Sequence, residues 1–294
     1  MKEISVEDIS FGYDKDNHKC PCLKNISFQI RQGETIGIFG PSGAGKTTLI
    51  FLICGLLKPD KGQIRVNGES LSGQRNAWKG FRNKIGMTFQ FPDEMFFHES
   101  VSEEFLHVLN KKGFSDEKAK ALACEALKWA GLDPEAFWSR HPMHLSLGQL
   151  RRLSLAIVWV QKQELLILDE PTVGLECRFK KRLLEDMIAY CREDGRMGII
   201  ASQDTNTLLS LVDYALILKD GETVLLGSGG KVLSQPDCLT SADLSLPLLA
   251  DLFIKLKQSG LPGNRIWRDL DEASHDIIEW LKHMESSDES ARLS

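Results

Sequence analysis

The chain has 294 residues, of which 42% are hydrophobic, and this is enough apolar material for one large domain or for a domain with an appendage. Its formal net charge of -5 lacks the basic excess of proteins that bind nucleic acid or bulk anionic lipid, so we expect neither as the main partner. Seven cysteines form an odd set without the spacing of metal or redox pairs, which favours a reducing compartment. The sequence shows no signal-peptide pattern and no run of about eighteen apolar residues that could span a membrane.

Residues 1–90 alternate short strand-like runs with turns. EISVEDISFGY, NISFQI and TIGIFG have the apolar or alternating pattern of strands. A glycine-rich turn follows the third run and leads into an apolar helical segment, and the pair Asn67 and Gly68 marks a later strand hairpin. The pattern predicts a mixed strand region around one strand, loop and helix unit.

From about residue 93 to residue 144 the pattern becomes helical, and the long amphipathic run SDEKAKALACEALKWAGL is the clearest case. Residues 145–235 return to alternating helix and strand, with ELLILDE and MGIIASQD as buried parallel strands and YALILKDGETVLLG as a closing hairpin. The sequence therefore predicts an α/β domain over residues 1–235 whose doubly wound core is interrupted by a helical subdomain.

Residues 236–294 predict a helical extension. Two segments with apolar faces, LPLLADLFIKLKQSGLPGN and DEASHDIIEWLKHM, are separated by glycine and proline and followed by the polar tail ESSDESARLS, which we expect to be disordered. This region carries no recognisable chemistry, so packing onto the core or a dimer contact is the favoured role.

The segment GPSGAGKT fits the phosphate-binding pattern G-x-x-x-x-G-K-[ST] and lies between an apolar strand and a helix, where that chemistry requires it. Backbone N–H groups of such a loop surround phosphates, the lysine supplies a positive charge, and the hydroxyl that follows is placed for Mg²⁺. The segment predicts a nucleoside triphosphate site and a P-loop NTPase core. The predicted nucleotide-binding residues here are Gly40, Pro41, Ser42, Gly43, Ala44, Gly45, Lys46, Thr47 and Thr48, with Thr47 also a metal ligand.

The run LLILDEP ends a buried strand in two carboxylates, Asp169 and Glu170. Adjacent carboxylates at a strand tip can divide the work, with Asp169 on the magnesium ion and Glu170 as the general base for the attacking water. An Asp-Glu pair on a protein surface is the alternative interpretation. The phosphate-binding loop in the same chain favours the catalytic one.

These motifs, together with LSLGQLRR shortly before LLILDEP, resemble the nucleotide-binding subunits of ABC transporters over about residues 1–235. The resemblance implies a RecA-like core with an antiparallel β subdomain, and ATP and Mg²⁺ as ligands. It implies that Tyr13 stacks on adenine and that Gln90 contacts Mg²⁺ and senses a membrane partner. The signature residues Ser146, Gly148 and Gln149 are implied to touch the γ-phosphate held by the opposite subunit.

Within that family, FQFPDEMFF, SVSEEF and LPLLADLFIKLKQSGL are most similar to the ATPases of energy-coupling-factor importers of vitamins or transition-metal ions. The resemblance implies an ATP hydrolase at the cytoplasmic face of the membrane that drives a separate transmembrane protein. We expect the coupling surface beside Gln90, where Met95, Phe96 and Phe97 are either presented to the partner or buried as core. The alternative function is a soluble ATP-dependent clamp or regulatory pseudo-ATPase not tied to transport.

Three positions depart from the family pattern. Leu147 replaces a glycine of the signature, and its side chain limits both close approach of another backbone and any conformation with positive φ. Glu176 replaces the aspartate of the D-loop. Gln203 replaces the switch histidine as the implied contact of the γ-phosphate, and a glutamine cannot carry positive charge. The loss of such a contact slows phosphoryl transfer by about thirty- to a thousand-fold.

The head-to-tail dimer of the family decides where each departure acts. In a homodimer both ATP sites contain Leu147 and Gln203. In a heterodimer with a standard paralogue, the site with Lys46 and Glu170 of this chain contains Gln203, and the other site faces Leu147. We expect an asymmetric heterodimer, and a working homodimer that tolerates the substitutions is the alternative.

Overall fold

A computed structural model describes residues 1–13, 22–263, 266–267 and 270–292. The strands are β1 (Glu3–Phe11), β2 (Leu23–Arg31), β3 (Thr35–Phe39), β4 (Lys61–Val66), β5 (Glu69–Ser70), β6 (Ile85–Thr88), β7 (Leu165–Asp169), β8 (Met197–Ser202), β9 (Tyr214–Lys219) and β10 (Glu222–Ser228). The helices are α1 (Lys46–Ile53), α2 (Arg75–Arg82), α3 (Val101–Asn110), α4 (Asp116–Trp129), α5 (Pro134–Phe137), α6 (Leu147–Val160), α7 (Cys177–Glu193), α8 (Thr205–Leu208), α9 (Gly229–Leu233), α10 (Pro236–Ser241), α11 (Leu248–Gln258) and α12 (Leu270–Arg292).

The alternating strands at the start of the chain form an antiparallel sheet, with the order β2-β1-β4-β5 among the described residues. The alternation in β1 is interrupted at Asp8, whose φ of 49° places it in the left-handed region. The strand register shifts there, so Ile4, Val6 and Ile9 all point into the core. The predicted hairpin joins β4 to β5 through Asn67 and Gly68, which both have positive φ.

The described part of the chain also contains a six-stranded sheet with the order β10-β9-β3-β8-β7-β6. All its adjacent pairs are parallel except the edge pair of β10 with β9. The strands β3, β7 and β8 are buried along their whole length, because α1 and the antiparallel sheet cover one face and helices cover the other. Their carboxyl ends meet at one edge of the sheet, where α/β proteins bind ligands.

The predicted helical insertion contains α3, α4 and α5, and it shares an apolar core with α6. Phe105, Ala123 and Ala126 of the insertion pack with Leu153 of that helix. The opposite side of α6 packs Leu155 and Val158 against β7 and α7. The helix α6 therefore joins the insertion to the central sheet.

The C-terminal extension forms two longer helices, as the apolar patterns predict, and packs a small cluster around Phe253 and Trp267. The helix α12 extends to Arg292, over residues for which the sequence predicts a disordered polar tail. That stretch contains no glycine or proline, so nothing in it breaks the helix. Among the described residues, no helix is long and apolar enough to cross a membrane.

Replacement of Phe105 by alanine tests the core of the insertion. The side chain is fully buried, so we expect the Phe105→Ala variant to lose about 3 to 5 kcal/mol of unfolding free energy in urea denaturation followed by tryptophan fluorescence. Phe97→Ala is the matched control, because that ring is 85% exposed and its loss should change the value by less than about 0.5 kcal/mol. Equal losses in both variants would contradict this assignment of the core.

Candidate functional site

The loop after β3 is shaped by contacts that only glycine allows. A Cβ atom at Gly40 would lie 2.5 Å from the carbonyl oxygen of Leu218, and one at Gly45 would lie 2.6 Å from Cδ2 of Leu23. Gly43 and Gly45 also have φ values of 82° and 100°, in the left-handed region. The loop therefore turns its backbone tightly into the first turn of α1, as a phosphate-binding loop must.

Lys46 begins α1 and extends its side chain back across the loop. Its Nζ donates hydrogen bonds to the carbonyl oxygens of Gly40 (2.7 Å) and Pro41 (3.1 Å) and lies 3.6 Å from Oε1 of Glu170. Burial lowers the pKa of Lys46, and the charges of Glu170 and Asp169 oppose that shift. The ammonium group is held at the loop by weak backbone acceptors, which the oxygens of a phosphate can replace.

Asp169 is the last residue of β7 and is 1% exposed. Its Oδ2 accepts a hydrogen bond from the hydroxyl of Thr47 at 2.7 Å, whereas its Oδ1 is buried without a hydrogen-bond partner among the described residues. Burial raises the pKa of Asp169, and the hydrogen bond from Thr47 opposes the shift. A buried carboxylate oxygen without a partner beside a threonine hydroxyl is a donor set that suits Mg²⁺.

Glu170 directly follows the strand and has a φ of 46°, an uncommon conformation for a residue with a long side chain. Its Oε2 accepts hydrogen bonds from the hydroxyl of Ser202 (3.1 Å) and from the backbone N–H of Gln203 (3.4 Å). In the described part of the chain its Oε1 has no hydrogen-bond partner. The carboxylate is thus oriented by one oxygen and has the other available for a water molecule.

Sequence reasoning did not identify Ser202. It ends β8, which lies beside β7 with Asp169 paired to Ala201, so the two strand ends are neighbours. Its position at the carboxyl end of a predicted parallel strand was the feature of the sequence that could have indicated a site residue.

Tyr13 contacts the loop, whereas Gln90 contacts the helix α6. The hydroxyl of Tyr13 is 3.1 Å from Oγ1 of Thr48, and its ring is 65% exposed, with Phe11 against its edge at 5.0 Å. Gln90 is exposed and its backbone carbonyl accepts a hydrogen bond from the guanidinium of Arg151. The structure therefore brings Tyr13 to the loop, and Arg151 is a contact of Gln90 that sequence reasoning missed.

The signature residues form the start of α6. Ser146 and Gln149 make a reciprocal capping box, in which each side chain accepts a hydrogen bond from the backbone N–H of the other residue. Among the described residues, no hydrogen bond connects Ser146, Gly148 or Gln149 with the loop around Lys46.

The expected conflict of Leu147 with a positive φ does not arise, because Leu147 is the first residue of a right-handed helix. Its side chain is 52% exposed and lies over Gly174, where an added Cβ would meet Cδ2 of Leu147 at 3.3 Å. This signature therefore differs from one with glycine at position 147 in its exposed side chain and not in its backbone conformation.

The segment after β8 is exposed at Gln203 and anchored at Asp204. Asp204 caps α8 through Thr207 and forms an ion pair with Lys180 of α7.

The three residues expected at the coupling surface differ in exposure. Phe96 is buried in the core of the insertion, Met95 is partly buried against that core, and Phe97 is 85% exposed.

Comparison with known proteins decides the family. A protein-family model described as "ABC transporter" matches residues 23–173 of this chain. The matched region contains the loop at Lys46 and the carboxylates of Asp169 and Glu170. The chain belongs to the ABC transporter family. It is an ATP-binding, ATP-hydrolysing subunit, and the predicted P-loop NTPase fold is confirmed.

Its relatives include the energy-coupling factor transporter ATP-binding protein EcfA2 of Caldanaerobacter subterraneus subsp. tengcongensis, which is 31% identical over 95% of this chain and 98% of that protein. EcfA1 of Streptococcus pyogenes serotype M1 is 33% identical over 88% and 91% of the two chains. The structure of cbiO1 from Clostridium perfringens, part of the ABC transporter complex cbiONQ, has a TM-score of 0.69 and 29% identity over 85% of this chain and 98% of that one.

A dimeric ATP-binding cassette bound to ADP and Pi in a post-hydrolysis state has a TM-score of 0.70 and 26% identity over 76% of this chain and 98% of that one. The predicted resemblance to energy-coupling-factor ATPases is confirmed by these relatives.

Replacement of Glu170 by glutamine removes the candidate base and keeps the shape of the side chain. We expect Glu170→Gln to reduce ATP hydrolysis at the site formed by Lys46 of this chain by about a hundred- to ten thousand-fold and to leave the affinity of that site for a fluorescent ATP analogue within about three-fold of wild type. Glu164→Gln, just before the opposite end of β7, is the control and should keep normal hydrolysis. Loss of binding together with hydrolysis would assign Glu170 to the fold rather than to the chemistry.

The ion pair of Asp204 predicts a pH-dependent contribution to stability. Although burial raises the pKa of Asp204, the hydrogen bond and charge of Lys180 outweigh it and lower that pKa. A lowered folded-state pKa means that the stabilisation is present above the unfolded value and is lost as pH falls through the folded value. We expect Asp204→Asn to lower the free energy of unfolding by about 1 kcal/mol at neutral pH.

The difference between wild type and Asp204→Asn should shrink in urea denaturation as the pH is lowered below about 4. The exposed Asp237 offers the control substitution Asp237→Asn, which should change stability little at either pH. An undiminished difference in acid would argue against the ion pair as its source.

Proposed function

We propose that this chain is one of two unequal ATPase subunits that power an energy-coupling-factor-like importer through a separate transmembrane protein. The observation that carries the proposal is the joint presence of a complete loop and carboxylate site with Gln203 at the switch position and Leu147 in the signature. The names of the relatives, energy-coupling factor transporter ATP-binding proteins, support the coupling to transport.

Within the proposed site, the residues divide the work by their chemistry. The loop from Gly40 to Thr48 and the ring of Tyr13 bind the nucleotide, with Lys46 against the terminal phosphates. Thr47, Asp169 and Gln90 hold Mg²⁺, which neutralises phosphate charge when bound. The buried Oδ1 of Asp169, which has no hydrogen-bond partner within the described part of the chain, supports this assignment.

Glu170 is the proposed general base. One of its oxygens is fixed by Ser202 and Gln203, while the other faces Lys46, which orients the carboxylate toward the phosphate end of the loop. Lys46 cannot neutralise both carboxylates, so the site favours an additional cation beside Asp169.

Gln203 makes the site of this chain a slow one in the proposed dimer. Its side chain is exposed at the site and can donate a hydrogen bond to a phosphate, but it cannot supply the positive charge of an imidazolium. In the other site, Leu147 would lie opposite the nucleotide of the partner, where its exposed side chain occupies the place of a glycine.

The proposed location is the cytoplasmic face of the membrane, where the chain is held by the transmembrane partner. Phe91 and Phe97 are large apolar side chains that are 58% and 85% exposed on either side of the partly buried Met95. They follow β6 together with Gln90, so a partner that covers them also contacts the nucleotide site.

Restoring the switch histidine tests the asymmetry. We expect Gln203→His, in complex with a paralogue that has a standard signature, to raise the turnover of the site of this chain by about ten-fold or more. Turnover of that site is isolated by substituting the catalytic glutamate of the paralogue. Gln203→Ala is the control and should not accelerate hydrolysis.

The purified chain alone should hydrolyse ATP much more slowly than the pair with its paralogue. Glu170→Gln in this chain should reduce the activity of the pair less than the equivalent change in the paralogue. Full activity of the isolated chain, or equal effects of the two glutamate changes, would contradict the unequal dimer.

A further inference from the structure

The side chain of Arg151 is the largest among those that are almost completely buried in the described part of the chain, with 1% exposure. It lies on α6, two residues after the signature residue Gln149, and extends from the helix toward the segment that follows β6. Its Nη1 donates to the carbonyl oxygen of Phe89 at 2.7 Å, and its Nη2 donates to that of Gln90. The fork of the guanidinium thus holds two consecutive carbonyls of one segment.

This guanidinium is buried at an energetic cost that the two hydrogen bonds do not explain. Within the described residues it forms no ion pair, and its Nε has no hydrogen-bond partner. Burial lowers the pKa of Arg151, and the charges of Asp169, Glu170 and Asp93 act against that shift from a distance. A buried charge without a close counterion is unfavourable, so a neutral residue would satisfy the fold better.

The position of α6 gives this contact a consequence. The start of the helix carries the signature, which in the proposed dimer faces the nucleotide of the partner. The two carbonyls that Arg151 holds belong to Phe89 and Gln90. The side chain of Gln90 is proposed to contact Mg²⁺ beside the nucleotide of this chain. One side chain therefore connects the helix of one ATP site with the backbone of the other.

We propose that Arg151 is a positioning residue that sets Gln90 at the nucleotide of this chain and ties it to the signature helix. The inference rests on the proposed function, because the role of Gln90 does. It adds that Arg151 acts through Gln90, and that movement of α6 is passed directly to the magnesium side of the site.

A double-mutant comparison tests this route. In a pair whose paralogue has its catalytic glutamate substituted, so that only the site of this chain turns over, Arg151→Met should reduce turnover and the Mg²⁺-dependent affinity for ATP at that site by about ten-fold. In a Gln90→Ala background the same change should have less than about a two-fold further effect, because residues that act in series are not additive. If Arg151→Met lowers turnover and ATP affinity by the same factor with Gln90 present and with Gln90→Ala, Arg151 only supports the fold.

Arg152→Met is the matched control. Arg152 is the next residue of the helix, donates to the carbonyl of Gly131 at 3.1 Å and has its guanidinium 5.0 Å from the ring of Phe179, so the chemical change is the same at a different contact. We expect it to leave the Mg²⁺ dependence unchanged. If Arg151→Met does not fold, Arg151→Lys keeps the charge without the fork and enters the same comparison.

Two further readouts do not need hydrolysis. Hydrogen–deuterium exchange of residues 88–95 in the nucleotide-free protein should become about ten-fold faster in Arg151→Met than in Arg152→Met. Equilibrium binding of ATP at several Mg²⁺ concentrations gives the coupling directly. Absence of ATPase activity in the wild-type pair would overturn the proposed function, whereas unchanged exchange and Mg²⁺ dependence in Arg151→Met would overturn the role of Arg151.

Discussion

One buried lysine between two buried carboxylates sets the organisation of this site. Lys46 begins α1 after β3, and Asp169 and Glu170 lie at the carboxyl end of β7; they come together because β3, β8 and β7 are neighbours with parallel direction. Such a cluster is expensive to bury, and one cation leaves it with excess negative charge. Polar contacts from Thr47 and Ser202 hold the carboxylates while each keeps one oxygen without a hydrogen-bond partner among the described residues.

The helix α6 joins the helical insertion to the central sheet. Because α6 packs one side against the insertion and the other against the central sheet, its position cannot change without effect on both. Arg151 adds a polar link to the segment at Gln90. The C-terminal extension is also connected to the segment after β8, where Thr205 Oγ1 donates to the carbonyl of Ser245 and the N–H of Leu248 donates to Asn206. The segment at Gln90 is thus joined to the signature helix, and the segment after β8 is joined to the C-terminal extension.

The departures from the family pattern do not disturb the fold of this chain. Leu147 is compatible with the helix that it begins, and Gln203 is exposed after β8. Substitutions at exposed positions usually change stability little, so their effect is expected in the chemistry between subunits. This is why an unequal dimer, rather than a damaged subunit, is the function that the residues support.

Periodicity and motif context predicted the strands, the insertion, the extension and the cluster of Lys46, Thr47, Asp169 and Glu170. These features depend on local order, since a strand, a glycine loop and a helix follow one another in the sequence and the parallel sheet brings strand ends together. The sequence did not reveal the positive φ of Glu170, the contact of Ser202 or the hydrogen bonds of Arg151 to two backbone carbonyls.

Those features were decided only by the tertiary structure, because each depends on which distant segments become neighbours. An arginine in an amphipathic helix has the pattern of a solvated side chain, and only the packing of α6 against β6 buries it on two carbonyls. Likewise, the helical start at Leu147 removes a backbone conflict that the family pattern implied. Local sequence determined the chemical groups, whereas the contacts between segments far apart in the sequence determined which of their atoms remain free to act.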